Sequence, residues 1–370
     1  MLKVLFDDQV FTSQMYGGVS RYFAQILKKF YRHNLLDFNL SLVYSDNNYL
    51  EDVEFSNHLN FLKNKEFKGK YRIVKFFKKL NRLKSKRDLK KQRFDVFHPT
   101  YYDSYFLEYL SKKPFVLTIH DMIHEIYTGK YFKKDDVAIK QKKELAKKAT
   151  KIIAVSENTK KDIAKLYDID PDKIDVVYHA SSLNPKKIRK IKIPEKFLLF
   201  VGDRDRYKNF NFFVKSIIPL LKKDNDLKLI CAGGGFFKED ELNFFKDNYL
   251  ENQILYYFIN SDEELAFLYK NALAFVFPSL YEGFGIPILE AFSLGCPVVL
   301  SNASSFKELA QEEGIFFDPK DNNSIRESVE KVICDKQLRK DLSQKGLIYS
   351  KNFSWKKAAQ QTKKIYESIF

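Results

Sequence analysis

Two glutamates, Glu282 and Glu290, lie eight positions apart in the stretch "PSLYEGFGIPILEAFSLGCPVV" at 278–299. Pro287 suits the first turn of a helix, where its missing N–H is no loss, and Gly295 is typical of a helix end. Glu282 is therefore predicted in the loop before this helix and Glu290 in its first turns.

The chemistry of this stretch combines carboxylates with backbone amides. The N–H groups around Phe284, Gly285 and Ile286 would form a helix N-terminus that attracts anions. Phosphate oxygens could be bound by those amides, and hydroxyl groups by Glu282 and Glu290. The structural alternative is that both glutamates are solvated or cap the helix, as glutamates near helix starts often do.

Glycines are few, 13 in all, and eight of them follow predicted strands. Such clustering indicates backbone that comes close to a ligand. For any single glycine, a tight strand-to-helix turn explains the residue equally well. The eight are Gly17, Gly18, Gly202, Gly233, Gly234, Gly235, Gly283 and Gly285.

The elements that would position these residues are short apolar strands that alternate with helix-like segments. Six such strands precede the Lys- and Pro-containing stretch 181–196, and six follow it. Alternation of this kind predicts an α/β protein with two doubly wound, Rossmann-like parallel sheets. A chain of 370 residues also favours two domains. We expect a first domain over 1–185 and a second over 186–353, with ligands at the carboxyl ends of the strands.

The predicted strands are, in the first half, "LKVLF" (2–6), "NLSLVY" (39–44), "DVFHPT" (95–100), "FVLTIH" (115–120), "KIIAVS" (151–156) and "KIDVVYHA" (173–180), and in the second half "FLLFVGD" (197–203), "LKLICAGGG" (227–235), "QILYYF" (253–258), "AFVFPS" (274–279), "PVVLSN" (297–302) and "GIFFDP" (314–319).

Composition excludes several classes of protein. No apolar run approaches the roughly 20 residues of a membrane-spanning helix, and the N-terminus lacks a signal-peptide cleavage site, so the cytoplasm is the expected compartment. The cysteines Cys231, Cys296 and Cys334 lack disulfide or zinc spacing and are expected to be buried apolar residues.

The net charge of +16 is concentrated in one segment. Residues 63–93 hold 15 Lys and Arg against Glu66 and Asp88, a net +13. Within 68–93 the apolar residues recur at helical spacing, which predicts a basic amphipathic helix. One interpretation is a peripheral anchor on an anionic membrane surface. The other is that the apolar stripe packs on the first domain. The stripe is formed by Ile73, Phe76, Phe77, Leu80 and Leu83.

The residues 278–309, "PSLYEGFGIPILEAFSLGCPVVLSNASSFKEL", resemble the donor-binding motif of glycosyltransferase family 4. The resemblance extends over most of the chain: it includes "GGVSRYFAQI" (17–26), "TIHD" (118–121), "AVSENTKKDI" (154–163) and "VGDRDRYKNF" (201–210). It implies a GT-B fold, two Rossmann-like domains facing each other across a cleft, and a retaining enzyme. It also implies that a C-terminal helix in 354–370 packs back on the first domain.

The resemblance implies roles for the residues on the donor side. Glu282 would lie beside the donor sugar, and Glu290 would bind the nucleotide ribose. Arg204 and Lys208 would bind the diphosphate, with Arg206 as the competitor of Arg204. Two cations can neutralise that leaving group without a metal, so no metal is expected and "DRD" at 203–205 is not interpreted as a metal motif.

Further roles follow from the same resemblance. His120 would contact the donor sugar near the reacting centre, and Gly17 and Gly18 would form a donor-binding glycine loop. His98 and Tyr101, or its neighbour Tyr102, would line the acceptor pocket. The base would lie near Gly233, Gly234 and Ile259. One departure is His179-Ala180, where many relatives have Asn-Gly, which puts in doubt any contact made there by an asparagine.

The function implied is hexose transfer from a nucleotide sugar to a glycan or lipid-linked acceptor in cell-surface polysaccharide synthesis. "SNASSFKEL" and "RYKNF" resemble bacterial mannosyltransferases of lipopolysaccharide O-antigen synthesis, which favours mannose and GDP-mannose; a UDP-sugar donor stays open. A basic nucleic-acid-binding protein is disfavoured because the charge is local and no recognition motif accompanies it. A dehydrogenase is disfavoured because no G-x-G-x-x-G follows "LKVLF".

Overall fold

The chain folds into two compact units in a computed structural model that describes residues 2–51, 53–62, 67–133 and 136–370. The first unit is formed by Met1–His179 with Trp355–Phe370, and the second by Ala180–Ser354. Residues 63–66, part of the basic segment, lie outside the described residues.

The first unit contains six parallel strands. Two three-stranded sheets, ordered β2-β1-β3 and β4-β5-β6, meet where Phe97 of β3 bridges Phe115 just before β4. The strands are β1 (Lys3–Phe6), β2 (Asp37–Leu40), β3 (Val96–His98), β4 (Val116–Ile119), β5 (Lys151–Ala154) and β6 (Ile174–Val176). The helices are α1 (Gln9–Ser13), α2 (Gly18–Arg32), α3 (Lys70–Lys90), α4 (Ile123–Ile126), α5 (Val137–Lys148) and α6 (Glu157–Tyr167), joined by the C-terminal α14 (Trp355–Glu367).

The second unit is one six-stranded parallel sheet in the order β12-β11-β10-β7-β8-β9. Its strands are β7 (Lys196–Val201), β8 (Leu227–Ala232), β9 (Ile254–Tyr257), β10 (Ala274–Phe277), β11 (Val298–Ser301) and β12 (Ile315–Phe317). Its helices are α7 (Phe210–Lys223), α8 (Glu239–Asp247), α9 (Asp262–Asn271), α10 (Ile286–Ser293), α11 (Phe306–Ala310), α12 (Asn322–Cys334) and α13 (Lys336–Tyr349).

The central strands are buried on both faces, as expected where helices cover both sides of a parallel sheet. All four residues of β4, β10 and β11 are buried. The fold is the predicted α/β class with parallel sheets in both units, although the strands of the first unit form two three-stranded sheets instead of the single predicted one. Each of the twelve predicted strands has a counterpart, but β2 begins and ends earlier than predicted, because Tyr44 bridges Leu59 instead of extending the sheet.

Helix α3 packs on the first unit through polar side chains. Asn81, Ser85 and Asp88 are buried and hydrogen-bonded there. Phe76 and Leu83 are 57% and 60% exposed. The interpretation in which the apolar stripe covers the first domain is therefore wrong for these residues. Within the stripe, Phe77 does pack inward: its ring stacks on that of Tyr44, with the centroids 4.6 Å apart.

Two smaller expectations have clear outcomes. Cys231 and Cys296 are buried as predicted, whereas Cys334 is exposed at the end of α12. Among the helices that the structure describes, none is long and apolar enough to cross a bilayer.

Candidate active site

The loop between β10 and α10 carries Glu282, at the carboxyl end of a central strand. Gly285, the residue before α10, has φ +112°, and a Cβ there would lie 3.2 Å from both the Phe306 ring and the Ile288 side chain. Only glycine combines that conformation with that packing. The sequence thus forces a sharp entry into α10, and the predicted loop position of Glu282 is what the structure has.

Two serines hold this loop from behind. The Ser305 hydroxyl donates to the Phe284 carbonyl at 2.5 Å and to the Glu282 carbonyl at 3.2 Å. The Ser304 hydroxyl also donates to the Glu282 carbonyl and accepts from the Glu282 N–H at 3.2 Å. Sequence reasoning missed both serines, although they stand in "SNASSFKEL". Their role is to fix the backbone on which Glu282 is mounted.

The N-terminus of α10 offers backbone donors. In the part of the chain that the structure describes, the N–H groups of Gly285 and Ile286 have no protein acceptor, and Pro287 has no N–H to offer. Orphan amides at a helix N-terminus form a ready anion site. The side chain of Phe284 is buried. The predicted amide contacts with phosphate and sugar remain predictions that this geometry allows.

Lys208 and Glu282 form an ion pair. The Lys208 Nζ atom lies 2.7 Å from Glu282 Oε1, and the two side chains are 17% and 12% exposed. The loop that carries Lys208 is tied to the Glu282 loop because the Leu280 N–H donates to the Tyr207 carbonyl at 2.7 Å. Two residues predicted on the donor side from motifs 74 positions apart are therefore in direct contact.

Arg204 has a structural environment. Its guanidinium pairs with Glu241, Nε to Oε1 at 2.7 Å, and donates to the carbonyls of Gly233, Gly235 and Phe236 at 2.8 to 3.2 Å. The side chain is buried. Because its donors are committed to the protein, the arrangement does not support the predicted diphosphate contact for Arg204.

Arg206, the competing candidate, is exposed and has φ +54°, a left-handed conformation that is uncommon for arginine. Asn209, which begins α7, is also left-handed, at φ +60°. Strained backbone of this kind clusters at ligand-binding loops. Arg206 therefore replaces Arg204 as the second candidate cation beside Lys208.

Glu290 is only 4% exposed, and its carboxylate accepts a hydrogen bond from the Tyr269 hydroxyl of α9 at 3.3 Å. Tyr269 was not predicted from the sequence, since it lies on a different helix. The predicted contact of Glu290 with a ribose stays a prediction.

The glycines after β8 have a packing role of their own. A Cβ at Gly234 would lie 2.6 Å from the Gly202 carbonyl oxygen, so glycine is needed for two loops to pass each other. Beside them Phe236 is 80% exposed, with its ring 5.0 Å from that of Tyr256. Ile259 is half-buried just after β9. The base contacts predicted for Gly233, Gly234 and Ile259 stay predictions, and Phe236 supplies an exposed aromatic ring next to them.

In the first unit, His120 follows β4. Its backbone N–H donates to the Tyr102 hydroxyl at 3.1 Å, and in the described residues its Nε2 atom has no hydrogen-bond partner. Burial lowers the pKa of His120 to about 4, although Asp121 opposes the shift. The imidazole is therefore neutral near pH 7, suited to hydrogen bonding with a sugar hydroxyl rather than to carrying charge.

His98 is buried beneath α14. Its Nδ1 atom is hydrogen-bonded to the Tyr366 hydroxyl at 2.6 Å and its Nε2 atom to the Thr118 hydroxyl at 2.9 Å. Both ring nitrogens are thus satisfied, and the predicted acceptor-pocket role of His98 is wrong. Tyr101 is partly exposed, with its ring 4.6 Å from that of Tyr102, so its predicted acceptor role stays open to test.

The predicted glycine loop opens α2. Gly17 precedes the helix, and a Cβ there would lie 2.4 Å from Gln14 Oε1. Gly18 has open space where a Cβ would stand. Their donor contacts stay predictions.

Asp205 of the "DRD" sequence is paired with Lys238, with both carboxylate oxygens 2.6 Å from Nζ. Within the described ranges no group of three or more His, Cys, Asp or Glu side chains could hold a metal ion.

Comparison with known proteins identifies similar families and relatives. Residues 184–348 match the family model "Glycosyl transferases group 1", and residues 16–183 match "Glycosyltransferase Family 4". The O-antigen chain mannosyltransferase B of Escherichia coli is 31% identical over 270 residues, covering 69% of this chain and 70% of that protein. The O-antigen chain mannosyltransferase RfbU of Salmonella typhimurium is 28% identical over 216 residues, covering 58% of this chain and 60% of that protein.

A solved structure with the same fold is sucrose-phosphate synthase from Thermosynechococcus elongatus. It has a TM-score of 0.75 and 16% identity, and the match covers 100% of this chain and 99% of that one. At that identity the likeness concerns the fold alone.

Proposed function

The chain belongs to glycosyltransferase family 4, and from this membership we propose that it moves a hexose from a nucleotide sugar to a glycan or lipid-linked acceptor in cell-surface polysaccharide synthesis, with retention at the anomeric carbon.

The observation that carries the proposal is the contact between Lys208 and Glu282 beside the amides that open α10. A cation, a carboxylate and unpaired N–H groups meet at the carboxyl edge of one parallel sheet, where open α/β sheets bind ligands. A diphosphate needs the cation and the amides, and a sugar hydroxyl needs the carboxylate.

For the donor we propose GDP-mannose. The proposal is supported by two relatives named as O-antigen mannosyltransferases, in Escherichia coli and Salmonella typhimurium. The first reaches 31% identity over 270 residues. A UDP-sugar is the alternative donor.

The proposed mechanism is a front-face displacement. The bond from the anomeric carbon to the diphosphate breaks, and the bond to the acceptor oxygen forms on the same face. The proton of the acceptor hydroxyl passes to the leaving phosphate oxygen. Lys208, Arg206 and the α10 amides stabilise the departing charge, which is the main catalytic contribution when no protein nucleophile takes part. Glu282 would position the sugar, and no metal is required. For the neutral His120 we keep the role of hydrogen bonding to a sugar hydroxyl.

We further propose that the protein works at the inner face of the cell membrane, bound through α3. The support is that its apolar residues Phe76 and Leu83 are exposed, while the side that contacts the first unit carries the buried Asn81, Ser85 and Asp88. The lysines next to them give charge complementarity to anionic lipid, where each cation near the surface contributes about 1 kcal/mol.

The proposed activity is tested by a thermal-shift screen with GDP, UDP and ADP, followed by incubation with the matching nucleotide sugar and NMR of the product. We expect GDP to raise the melting temperature most and the product to keep the donor's anomeric configuration. A larger rise in melting temperature with UDP would indicate a UDP-sugar donor instead of GDP-mannose. No rise with any of the three nucleotides would contradict the proposed nucleotide site.

The membrane proposal is tested by sedimentation with vesicles of phosphatidylglycerol and phosphatidylcholine. The charge-reversed variant K75E/K79E and the variant Phe76→Ser should both lose binding. The matched control is K161E/K165E on α6, which makes the same charge change on another helix of the same unit and should bind as wild type. Equal binding by all variants would contradict the anchor.

A further inference from the structure

A cavity of about 220 Å³ lies in the first unit, between three segments of the chain. One wall is the end of α1 and the residues that follow it, 11–15. The second is the loop after β2, 44–47, and the third is the first half of α3, including Lys70, Val74 and Lys78. A space of that size would hold about seven water molecules, close to the bulk of one sugar ring.

The walls are fixed to one another by buried polar side chains, chiefly Asn81. The Asn81 amide nitrogen donates to the Thr12 hydroxyl and to the Tyr44 carbonyl, both at 2.8 Å. Its amide oxygen accepts from the N–H groups of Val43 and Tyr44, both at 2.9 Å. Ser45 adds a bond to the Phe11 carbonyl at 2.6 Å. The cavity is thus preformed, as ligand pockets usually are.

The lining combines the groups that bind carbohydrate with those that bind phosphate. Met15, Tyr44 and Val74 supply apolar surface. Asp46 accepts a hydrogen bond from the Tyr44 hydroxyl through one carboxylate oxygen, while the other oxygen is buried without a hydrogen-bond partner in the described residues. A buried carboxylate oxygen without a partner is costly, and a ligand that brought a hydrogen-bond donor to it, such as a sugar hydroxyl, would remove that cost. Lys78 supplies a positive charge at the same cavity.

We propose that this cavity binds a glycosyl phosphate of the acceptor, with a sugar hydroxyl on Asp46 and the phosphate beside Lys78 and Lys70. The inference rests on the proposed transferase function. It gives the acceptor a binding place other than His98, whose ring nitrogens are both hydrogen-bonded within the protein. The residues 14–16 join one wall of the cavity to the predicted glycine loop at Gly17. An acceptor held there lies next to residues predicted to contact the donor.

A phosphate ester on this side also fits the neighbouring face of α3. Ile73, which is exposed, stands on the flank of the helix next to the face that carries Lys70 and Val74. A lipid chain on the phosphate would find apolar surface there. A free acceptor and a lipid-linked acceptor would both present a glycosyl phosphate to the cavity.

The test is titration calorimetry of the full chain, with the donor site first saturated by the nucleoside diphosphate that the thermal-shift screen selects. The probes are mannose 1-phosphate, its octyl ester, mannose and inorganic phosphate. We expect mannose 1-phosphate to bind at least tenfold more tightly than mannose or phosphate, since both halves of the cavity contribute. If the octyl ester binds more tightly than mannose 1-phosphate and Ile73→Ser removes that gain, the source is lipid-linked. Equal binding of the two probes would identify a free source.

The variants Lys78→Gln and Asp46→Asn should each weaken mannose 1-phosphate about tenfold or more, because each removes a charged hydrogen-bonding group. The matched control is Lys79→Gln, the next lysine on α3 but on the opposite face. Unchanged binding in both cavity variants, or an equal loss in Lys79→Gln, would overturn the proposal. Nucleotide binding in the same samples is a separate readout: its loss would contradict the proposed function, whereas its retention with no probe binding contradicts this inference alone.

Discussion

At the scale of single residues, the ion pair between Lys208 and Glu282 sets a competition. A donor diphosphate that binds Lys208 must take it from a carboxylate 2.7 Å away. Both side chains are largely shielded from water, so their attraction exceeds that of an exposed pair. We therefore expect the Glu282 carboxylate to become available to the sugar only when a donor phosphate replaces it as the partner of Lys208.

This competition predicts opposite effects of two substitutions. Lys208→Met should weaken nucleoside diphosphate binding by about tenfold or more, the loss expected for a charge-assisted hydrogen bond. Glu282→Gln should bind the same nucleotide as well as or better than wild type, because Lys208 no longer has an anionic partner, and yet lose transfer. Calorimetry and a transfer assay measure the two quantities. Weakened nucleotide binding in Glu282→Gln would reverse the assignment.

Arg204 and Arg206 stand two positions apart and should respond differently to the same change. Arg204→Met leaves Glu241 buried without its cation, so we expect a loss of about 3 to 5 kcal/mol in the free energy of unfolding. Arg206→Met removes an exposed side chain, and we expect unfolding to change by less than about 0.5 kcal/mol while nucleotide affinity falls. Urea unfolding and calorimetry on both variants decide the matter. Nucleotide binding that depends on Arg204 at unchanged stability would restore the original prediction.

At the scale of elements, α3 shows how an amphipathic pattern can mislead. The apolar spacing in 68–93 correctly predicts a helix, but periodicity does not say which face has a partner. The answer depends on hydrogen bonds from Asn81 and Ser85 to α1 and to the loop after β2, which are distant in sequence. By contrast, the start of α10 could be predicted from the sequence, because Gly285 and Pro287 favour a helix start through the conformational preferences of their own backbone.

Asn81 holds α3 to the first unit, whereas Leu83 is exposed. We therefore expect loss of the polar side chain to destabilise the protein more than loss of the apolar one. Asn81→Ala should lower the free energy of unfolding by roughly 2 to 4 kcal/mol, because it leaves buried N–H groups of Val43 and Tyr44 without an acceptor. Leu83→Ala, an apolar truncation on the same helix, should change it by less than about 0.5 kcal/mol, since Leu83 is exposed. Urea unfolding curves compare the two. A larger effect at Leu83 would mean that the apolar stripe does pack on the protein.

At the scale of the whole molecule, the sequence predicted the α/β class and parallel strands in each half of the chain, since strand and helix periodicity is local. It did not predict partners made across the chain. Glu241 binds Arg204 from 37 positions away, and Tyr366 binds His98 from 268 positions away. A motif gives residue types but not the partners of their side chains, so it could not show that the Arg204 guanidinium and the His98 ring are already hydrogen-bonded within the protein.

All six histidines belong to the first unit, so their protonation in mild acid acts on the stability of that unit. Burial lowers the pKa of His98 to about 3, that of His120 to about 4, and that of His179 well below its usual value. A histidine with a lowered folded pKa binds fewer protons when folded than when unfolded. Its contribution to stability is therefore lost as pH falls below the unfolded value of about 6.5.

Buried carboxyls oppose this loss. Burial, together with Asp7, raises the pKa of Asp8 to about 6, so protonation of Asp8 in the folded state adds stability as pH falls from 7.5 to 5. That gain is about 1.5 kcal/mol, whereas His98 and His120 each lose about 2 kcal/mol over the same range. Burial also raises the pKa of Asp7, which adds to the opposing contribution. The losses at His98 and His120 together exceed the gain at Asp8, and the pKa of His179 is lowered in the same direction, so we expect acid to destabilise the first unit.

The resulting prediction can be followed with the single tryptophan. Trp355 is buried in the first unit, with its ring 5.7 Å from that of His179, so its fluorescence reports the unfolding of that unit. We expect the urea midpoint measured by Trp355 to fall when the pH is lowered from 7.5 to 5. His98→Gln, which keeps a hydrogen-bonding side chain but cannot be protonated, should reduce that pH dependence by about 2 kcal/mol even though it lowers stability at pH 7.5. The exposed His33→Gln serves as the control and should keep the wild-type pH dependence. An unchanged pH dependence in His98→Gln would show that His98 is protonated in the folded protein, contrary to its burial between Tyr366 and Thr118.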